Sequence, residues 1–320
     1  MTVLRVIAPG LQSSIQDLGR PGFASLGVAP SGAADDLSHR IANRLVGNPD
    51  HSATIECTLS GDTFRAEGSA LVALAGADAS PIIRRAGGGA LAAPLFQPFT
   101  LLPDDELVLG PILSGCRLYL AIAGGVDTPP VLASRSAHLA AAFPNLTGRP
   151  LHAGDSIPIG APTPPPRSTP APASLCRFSA AHSLRTTLRV LPGPDAALIP
   201  PELAPAIFDS HLTVSARSSR VGVRLVGGPA CTHPPRTSEP TPPGAVQRTP
   251  EGELILLGPE RPVTGGYPLI ASIIAADIPA IGQLRPGTRA RLAPTSLDAP
   301  RTLLLDQQRE LDALLPPLPL

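Results

Sequence analysis

Lysine is absent from this 320-residue chain: all 25 basic residues are arginine. Without an ε-amino group the chain has no attachment point for biotin. It likewise has no Schiff-base nucleophile and no phosphate loop of the usual lysine-bearing kind. Tryptophan is absent too, and aromatics make up 3% of the chain. The 25 basic residues are balanced by 25 acidic ones, which excludes a basic nucleic-acid footprint and a polybasic membrane surface. Four cysteines, at 57, 116, 176 and 231, stand far apart with no C-x-x-C spacing. A disulfide framework or zinc site is therefore not expected, and three of the four lie in or beside apolar runs, where cysteine acts as a small buried hydrophobe. The seven histidines are scattered without metal-ligand spacing, so no metal site is expected. No G-x-S-x-G nucleophile elbow is present. Apolar runs such as 269–276 are far too short to span a bilayer. Pro9-Gly10 follows the first residues so closely that no signal-peptide core fits. These absences predict a soluble, cytoplasmic protein.

Proline (42) and glycine (30) are abundant and spread between short apolar runs, with 43% hydrophobic residues overall. This pattern predicts a turn-rich, mostly β chain with a few helices, long enough for two domains of ordinary size. Residues 161–173 are rich in Pro, Thr and Ser and have no packing face. They place a linker within 161–184, between an N-terminal half at 1–160 and a C-terminal half at 185–320 that closes on a helix near 303–315.

Polar loop residues are densest between 16 and 56. The turn Gln16-Asp17-Leu18-Gly19-Arg20-Pro21-Gly22 carries an amide, a carboxylate and a guanidinium, and Pro21-Gly22 is a strong turn signal. These groups serve either the turn's own backbone or a ligand. Leu37, Ile41, Leu45 and Val46 then fall on one helical stripe, which predicts a helix over 33–46 with Ser31 as N-cap and Gly47 as its stop. Asp35 and Asp36 sit at its positive end, where N–H groups also suit an anion. Alternation over 54–59 predicts a half-buried strand with Glu56 on the face opposite the core. Asp104-Asp105-Glu106 reads as a solvated turn. Arg135, between Ser134 and Ser136, suits either a carboxylate or phosphate or the closure of a surface loop. In the second half, Gly265 and Gly266 permit close backbone approach beside Tyr267, one of two tyrosines.

Taken in order, IQDLGRPG, SGAAD, IANRLVGN, the strand with Glu56, SRS, VLPGPD, SSRVGVRLVG, SE…PGAVQ, TGGYP and QLRPG resemble one family. It is the carboxyltransferase-type family called allophanate hydrolase subunit 2, which includes the C-type subunit of 5-oxoprolinase and KipA-like proteins. The second part of the urea carboxylase carboxyltransferase domain is similar. The resemblance implies a fold of two cyclophilin-like β-barrel halves. It also implies partners, a KipI-like B-type subunit and an A-type lactam-hydrolase subunit, and ATP used by the complex as a whole. The reaction implied is opening of the 5-oxoproline lactam to glutamate. Alternatives are a biotin-dependent carboxyltransferase subunit, with biotin on another chain, or a non-catalytic regulator that binds a KipI-like partner. Glu260 and Val263 depart from the family's usual residues before TGGYP.

Opening an unstrained lactam through ATP requires cations and N–H donors for phosphate, with a carboxylate as general base. Candidate catalytic residues are therefore Asp17, Arg20, Asp35 and Glu239. Candidate substrate-binding residues are Gln16, Ser31, Arg135, Gln247, Gly265, Gly266 and Tyr267.

Overall fold

The computed structural model describes residues 3–141, 143–162, 164, 170–232 and 237–317. The chain divides into two compact units, one built from residues up to 20, 31–180 and from 310 onward, the other from 21–30 and 181–309.

In the first unit, strands β1 (Val3–Ala8) and β2 (Gln12–Gln16) precede helix α1 (Asp36–Leu45). Then come β3 (Thr54–Thr58), β4 (Thr63–Ala66), β5 (Ala70–Ala79), β6 (Ile82–Arg84), β7 (Ala90–Ala92) and β8 (Pro98–Leu101). β9 (Glu106–Val108), β10 (Ile112–Ile122), β11 (Ser156–Pro158) and α2 (Pro172–His182) complete it. Six strands form one sheet in the order β11-β1-β4-β9-β6-β7, and five form another in the order β2-β3-β10-β5-β8. Period-two alternation turns Leu4, Val6, Phe64, Leu107 and Ile83 inward from the six-stranded sheet, and they share a core with Ile15, Ile55, Val72, Leu74, Leu118 and Leu120. The other face of the five-stranded sheet is covered as well. There Ala73, Ala75, Tyr119 and Ala121 pack with Leu37, Ile41 and Leu45 of α1 and with Leu175 and Phe178 of α2. Each large aliphatic buried in this way contributes roughly 1.5–3 kcal/mol relative to exposure. Burial on both faces also explains why β5 and β10 read as apolar runs rather than alternating strands.

Several expectations change at this level. α1 starts at Asp36, and its N-cap is Asp35, whose side chain accepts from the Ser38 N–H. Ser31 cannot serve as the cap, because Ser31 (φ 55°) and Gly32 (φ 94°) both adopt left-handed backbone that ends any helical path before residue 33. Asp105 is no solvated group. It is 1% exposed, accepts from Leu102 N at 2.8 Å and pairs with Arg85. The 161–184 linker lies partly outside the described residues, and its latter part is the helix α2. The second unit also differs from 185–320, since 310 onward belongs to the first unit and 21–30 to the second.

The second unit contains β12 (Thr187–Pro192), α3 (Ala204–Phe208), β13 (Leu212–Val214), β14 (Gly222–Val226) and β15 (Glu239–Pro240). It continues with β16 (Ala245–Arg248), β17 (Leu254–Leu257), β18 (Thr264–Gly265), β19 (Leu269–Ile273), α4 (Ile278–Ile281) and β20 (Arg289–Pro294), and helix α5 (Ala299–Leu314) begins here. Seven strands close a barrel in the order β12-β19-β16-β17-β14-β13-β20, which removes exposed sheet edges. Leu188, Leu225, Val246, Leu254, Leu256, Ile273 and Leu292 fill it. Outside the barrel, β15 and β18 form a two-stranded ribbon. The helix expected near 303–315 is α5, on which Leu311 is buried while Leu304 is 41% exposed. No helix among the described residues is long and apolar enough to cross a membrane.

Candidate functional site

In the first unit the QDLGRPG turn and the Ser134-Arg135-Ser136 loop are joined through one carboxylate. Asp17 Oδ1 accepts from Gly19 N at 2.7 Å, from Ser134 Oγ at 2.6 Å and from Ser136 Oγ at 2.5 Å. Its Oδ2 accepts from Arg135 N at 2.6 Å. Asp17 is 8% exposed, so four donors converge on a buried charge. This is how a loop is locked, since charge-assisted bonds are about twice as strong as neutral ones. The turn that presents these hydroxyls contains Leu132 (φ 52°) and Ala133 (φ 63°) in left-handed backbone. Arg20 is 1% exposed. It donates through Nε to Val131 O at 3.2 Å and through Nη2 to Ser136 O, and it lies 5.0 Å over the Phe143 ring. Arg135 pairs with Asp127 at 2.6 Å and its side chain is 36% exposed.

Gln16 is fully buried. Its Nε2 donates to Ser14 Oγ at 3.0 Å and to Ala137 O at 3.3 Å. A carbonyl can only accept, so Ala137 fixes which end of the amide faces it. Among the described residues Gln16 Oε1 is consequently left as a buried acceptor without a partner, and Ser31 Oγ is likewise without one.

A second polar network meets the start of α1. Glu56, expected on an outer face, is 1% exposed because α1 covers that side of β3. Its Oε2 accepts from Ala34 N at 2.8 Å and from Tyr119 OH at 2.8 Å, and Arg117 Nε lies 3.3 Å from Oε1. Tyr119 OH in turn accepts from Asp35 N at 2.8 Å. Burial, reinforced by Glu56 and Asp35, pushes the Tyr119 phenol well above its usual range, so it remains a proton donor. Asp35 caps Ser38 through both N (3.0 Å) and Oγ (2.6 Å). The N–H groups of Ala34, Asp35 and Ser38 at this helix start are therefore engaged by the protein itself. Behind this network His39 bonds Thr54 Oγ1 and Asp50 O, each at 2.9 Å. Burial lowers its pKa to about 4, so it is neutral at physiological pH.

The second unit has its own cluster. Glu239 on β15 pairs with Gly265 on β18, and Gln247 on β16 lies beneath Gly265. A Cβ at Gly265 would fall 2.4 Å from Gln247 Nε2 and 3.3 Å from Thr241 Cγ2, so any larger residue here displaces the Gln247 amide. Gln247 is 4% exposed and its Nε2 has no partner among the described residues. Thr241 N donates to Val263 O at 3.0 Å, and Arg261 Nε to Thr241 O at 2.8 Å. Arg220 and Glu260 form a buried pair at 2.5 Å under the turn that leads into Thr264-Gly265-Gly266. Tyr267 is 43% exposed and Glu239 is exposed.

The structure thus joins Asp17, Arg20 and Arg135 in one cluster, Asp35 and Glu56 in another, and Glu239, Gln247 and Gly265 in a third, with Gly266 and Tyr267 following. Asp17 and Asp35, expected as catalytic carboxylates, hold internal donors, and the Arg20 guanidinium holds loop carbonyls. That geometry positions loops rather than leaving a base or an anion clamp at a surface. Sequence reasoning missed the Glu56–Tyr119–Arg117 network, because a cross-strand pair of this kind becomes visible only when β3 and β10 are in register.

The chain matches the family described as carboxyltransferase domain, subdomain A and B, over residues 26–294. It is 33% identical to the C-type subunit of 5-oxoprolinase from Escherichia coli, covering 98% of this chain and 97% of that one. It is 30% identical to the urea amidolyase of Lachancea kluyveri, covering 97% of this chain but 18% of that protein. Among solved structures, the urea amidolyase of K. lactis superposes with a TM-score of 0.86 at 28% identity, over 98% of this chain and 20% of that one.

Proposed function

Since the chain belongs to the carboxyltransferase domain family of subdomains A and B, we propose that it is the C-type subunit of a cytoplasmic, ATP-dependent 5-oxoprolinase complex. The supporting observation is the reciprocal match to the C-type 5-oxoprolinase subunit of Escherichia coli, which spans nearly all of both chains. Its partners in this reading are a KipI-like B-type subunit and an A-type lactam-hydrolase subunit, and the reaction is opening of 5-oxoproline to glutamate.

A lactam resists water because amide resonance weakens the carbonyl as an electrophile and nitrogen leaves poorly. ATP overcomes both obstacles by phosphorylating the amide oxygen. In this reading the present chain binds and orients, while the ATP-handling groups reside on the partners, consistent with a chain that has no lysine. Gln16 Oε1 and Ser31 Oγ offer buried hydrogen-bonding capacity in the first unit. In the second, Gln247 offers an amide donor beside Gly265, Gly266 and Tyr267. Arg135 contributes a partly exposed cation, and Glu239 is the exposed carboxylate of the set, so it takes the role of proton acceptor.

Co-purification with the products of adjacent reading frames, followed by ATP-dependent glutamate release from 5-oxoproline, tests this. The chain by itself is expected to give no turnover, and activity is expected only in the assembled complex. Full activity of the isolated chain refutes the subunit reading.

A second reading, carboxyl transfer from biotin carried on another chain, is favoured by the similarity to the K. lactis urea amidolyase structure. Carboxylation of urea by this chain with a biotinylated carrier, with no glutamate release, decides for it.

A further inference from the structure

Arg248 ends strand β16, opposite Leu254, on the face whose other members, Val246 and Leu254, lie in the barrel's apolar core. It is 4% exposed. Of the other buried guanidiniums, Arg44 is matched by Asp50 and Asp312, Arg117 by Glu56 and Arg220 by Glu260, whereas Arg20 donates to the carbonyls of Val131 and Ser136 and also lies over the Phe143 ring. Arg248 forms no ion pair with a described carboxylate. Its Nη2 donates to Pro229 O at 2.7 Å and its Nη1 to Cys231 O at 3.1 Å, while Nε is buried without a partner among the described residues. Two neutral carbonyls return part of the hydration that the cation loses. An uncompensated buried charge nevertheless remains a costly arrangement, and arginine is seldom buried unless paired.

We infer that Arg248 is the receptor for a small carboxylate at this end of the barrel. A monoanion balances the single charge, and the planar guanidinium matches a carboxylate's two oxygens. A phosphate dianion fits less well, because the carbonyl oxygens of Pro229 and Cys231 lie beside the cation and repel the additional charge. The carboxylate binds by exchanging with these carbonyls. They belong to an irregular segment, 229–232, in which Cys231 is partly exposed and Thr232 exposed, so no strand of the barrel has to move. Nothing in this assignment depends on the reaction that the complex performs.

Thermal unfolding of the full chain at constant ionic strength, with acetate, 5-oxoproline, phosphate or chloride added, tests the assignment. Either carboxylate is expected to raise the midpoint saturably by about 2 °C, and phosphate and chloride to leave it unchanged. Arg248→Met is expected to unfold at a higher midpoint than the parent chain in carboxylate-free buffer, because an apolar side chain replaces an unpaired charge, and to lose the carboxylate response. Arg248→Lys, which keeps the charge but not the planar donor set, is expected to respond more weakly. Equal responses to all four anions overturn the inference, as does a full carboxylate response in Arg248→Met. A parent chain that ignores carboxylate, together with an Arg248→Met variant of lowered midpoint, also overturns it and makes Arg248 a strut for 229–232.

Discussion

Replacing Asp17 by Asn tests whether that carboxylate is a loop lock or a reactive base. The side chain keeps its shape but loses its charge and one acceptor. Turning Nδ2 toward the Oδ1 position sets a donor against three donors, from Gly19, Ser134 and Ser136. The amide therefore turns the other way, and the Arg135 N–H, now 2.6 Å from a carboxylate oxygen, meets a donor instead. One charge-assisted bond is worth roughly 1.5–3 kcal/mol, and the three remaining bonds weaken to neutral strength. A loss of about 3–5 kcal/mol follows, which lowers the midpoint of a unit of this size by roughly 6–20 °C. Calorimetry of the full chain, read at the first unit's transition, measures it. An Asp17→Asn chain that unfolds within about 1 kcal/mol of the parent refutes the lock, and leaves Asp17 available for chemistry.

Three further outcomes follow from the same geometry. Gly265→Ala places a methyl 2.4 Å from Gln247 Nε2. Because that atom ends a flexible side chain, the midpoint should fall by less than about 1 kcal/mol equivalent while glutamate release by the assembled complex drops at least tenfold, and unchanged release counts against a role for this cluster. His39 has its pKa lowered by burial from 6.5 to about 4, so its unfolded form takes up a proton first. Urea-unfolding free energy should decline by roughly 3 kcal/mol as pH falls from 6.5 toward 4, and His39→Gln should flatten that slope; an equally steep slope in the variant excludes His39 as its source. Tyr119→Phe leaves the Asp35 N–H without its acceptor and Glu56 without one donor, for a loss of about 1–3 kcal/mol by chemical denaturation, and an unaltered midpoint shows the network to be dispensable.

What was legible in the chain follows from which forces act locally. The α1 stripe of Leu37, Ile41 and Leu45 was readable because burial against one neighbour imposes the helical period. The cap at Asp35 was misplaced to Ser31 because a left-handed pair of residues leaves no composition signal when one member is a serine. Glu56 was misread for a different reason. Alternation marks two faces of a strand but cannot report that both are covered, and α1 covers the second. Asp17 was identifiable as important from its turn, but its four donors arrive from residue 19 and from 134–136, and long-range hydrogen bonding has no sequence period. Arg248 left no signal at all, since an arginine beside Gln247 reads as ordinary strand-end polarity until the barrel closes around it.

The proposed role of this chain is to bind and orient a ligand for chemistry completed by other subunits. Glutamate formed per ATP hydrolysed, measured for the reconstituted complex with and without this chain, tests it most directly. The predicted result is coupled turnover with the chain present, and ATP hydrolysis yielding little or no glutamate without it. Undiminished glutamate formation in its absence, or turnover by the chain alone, contradicts the claim.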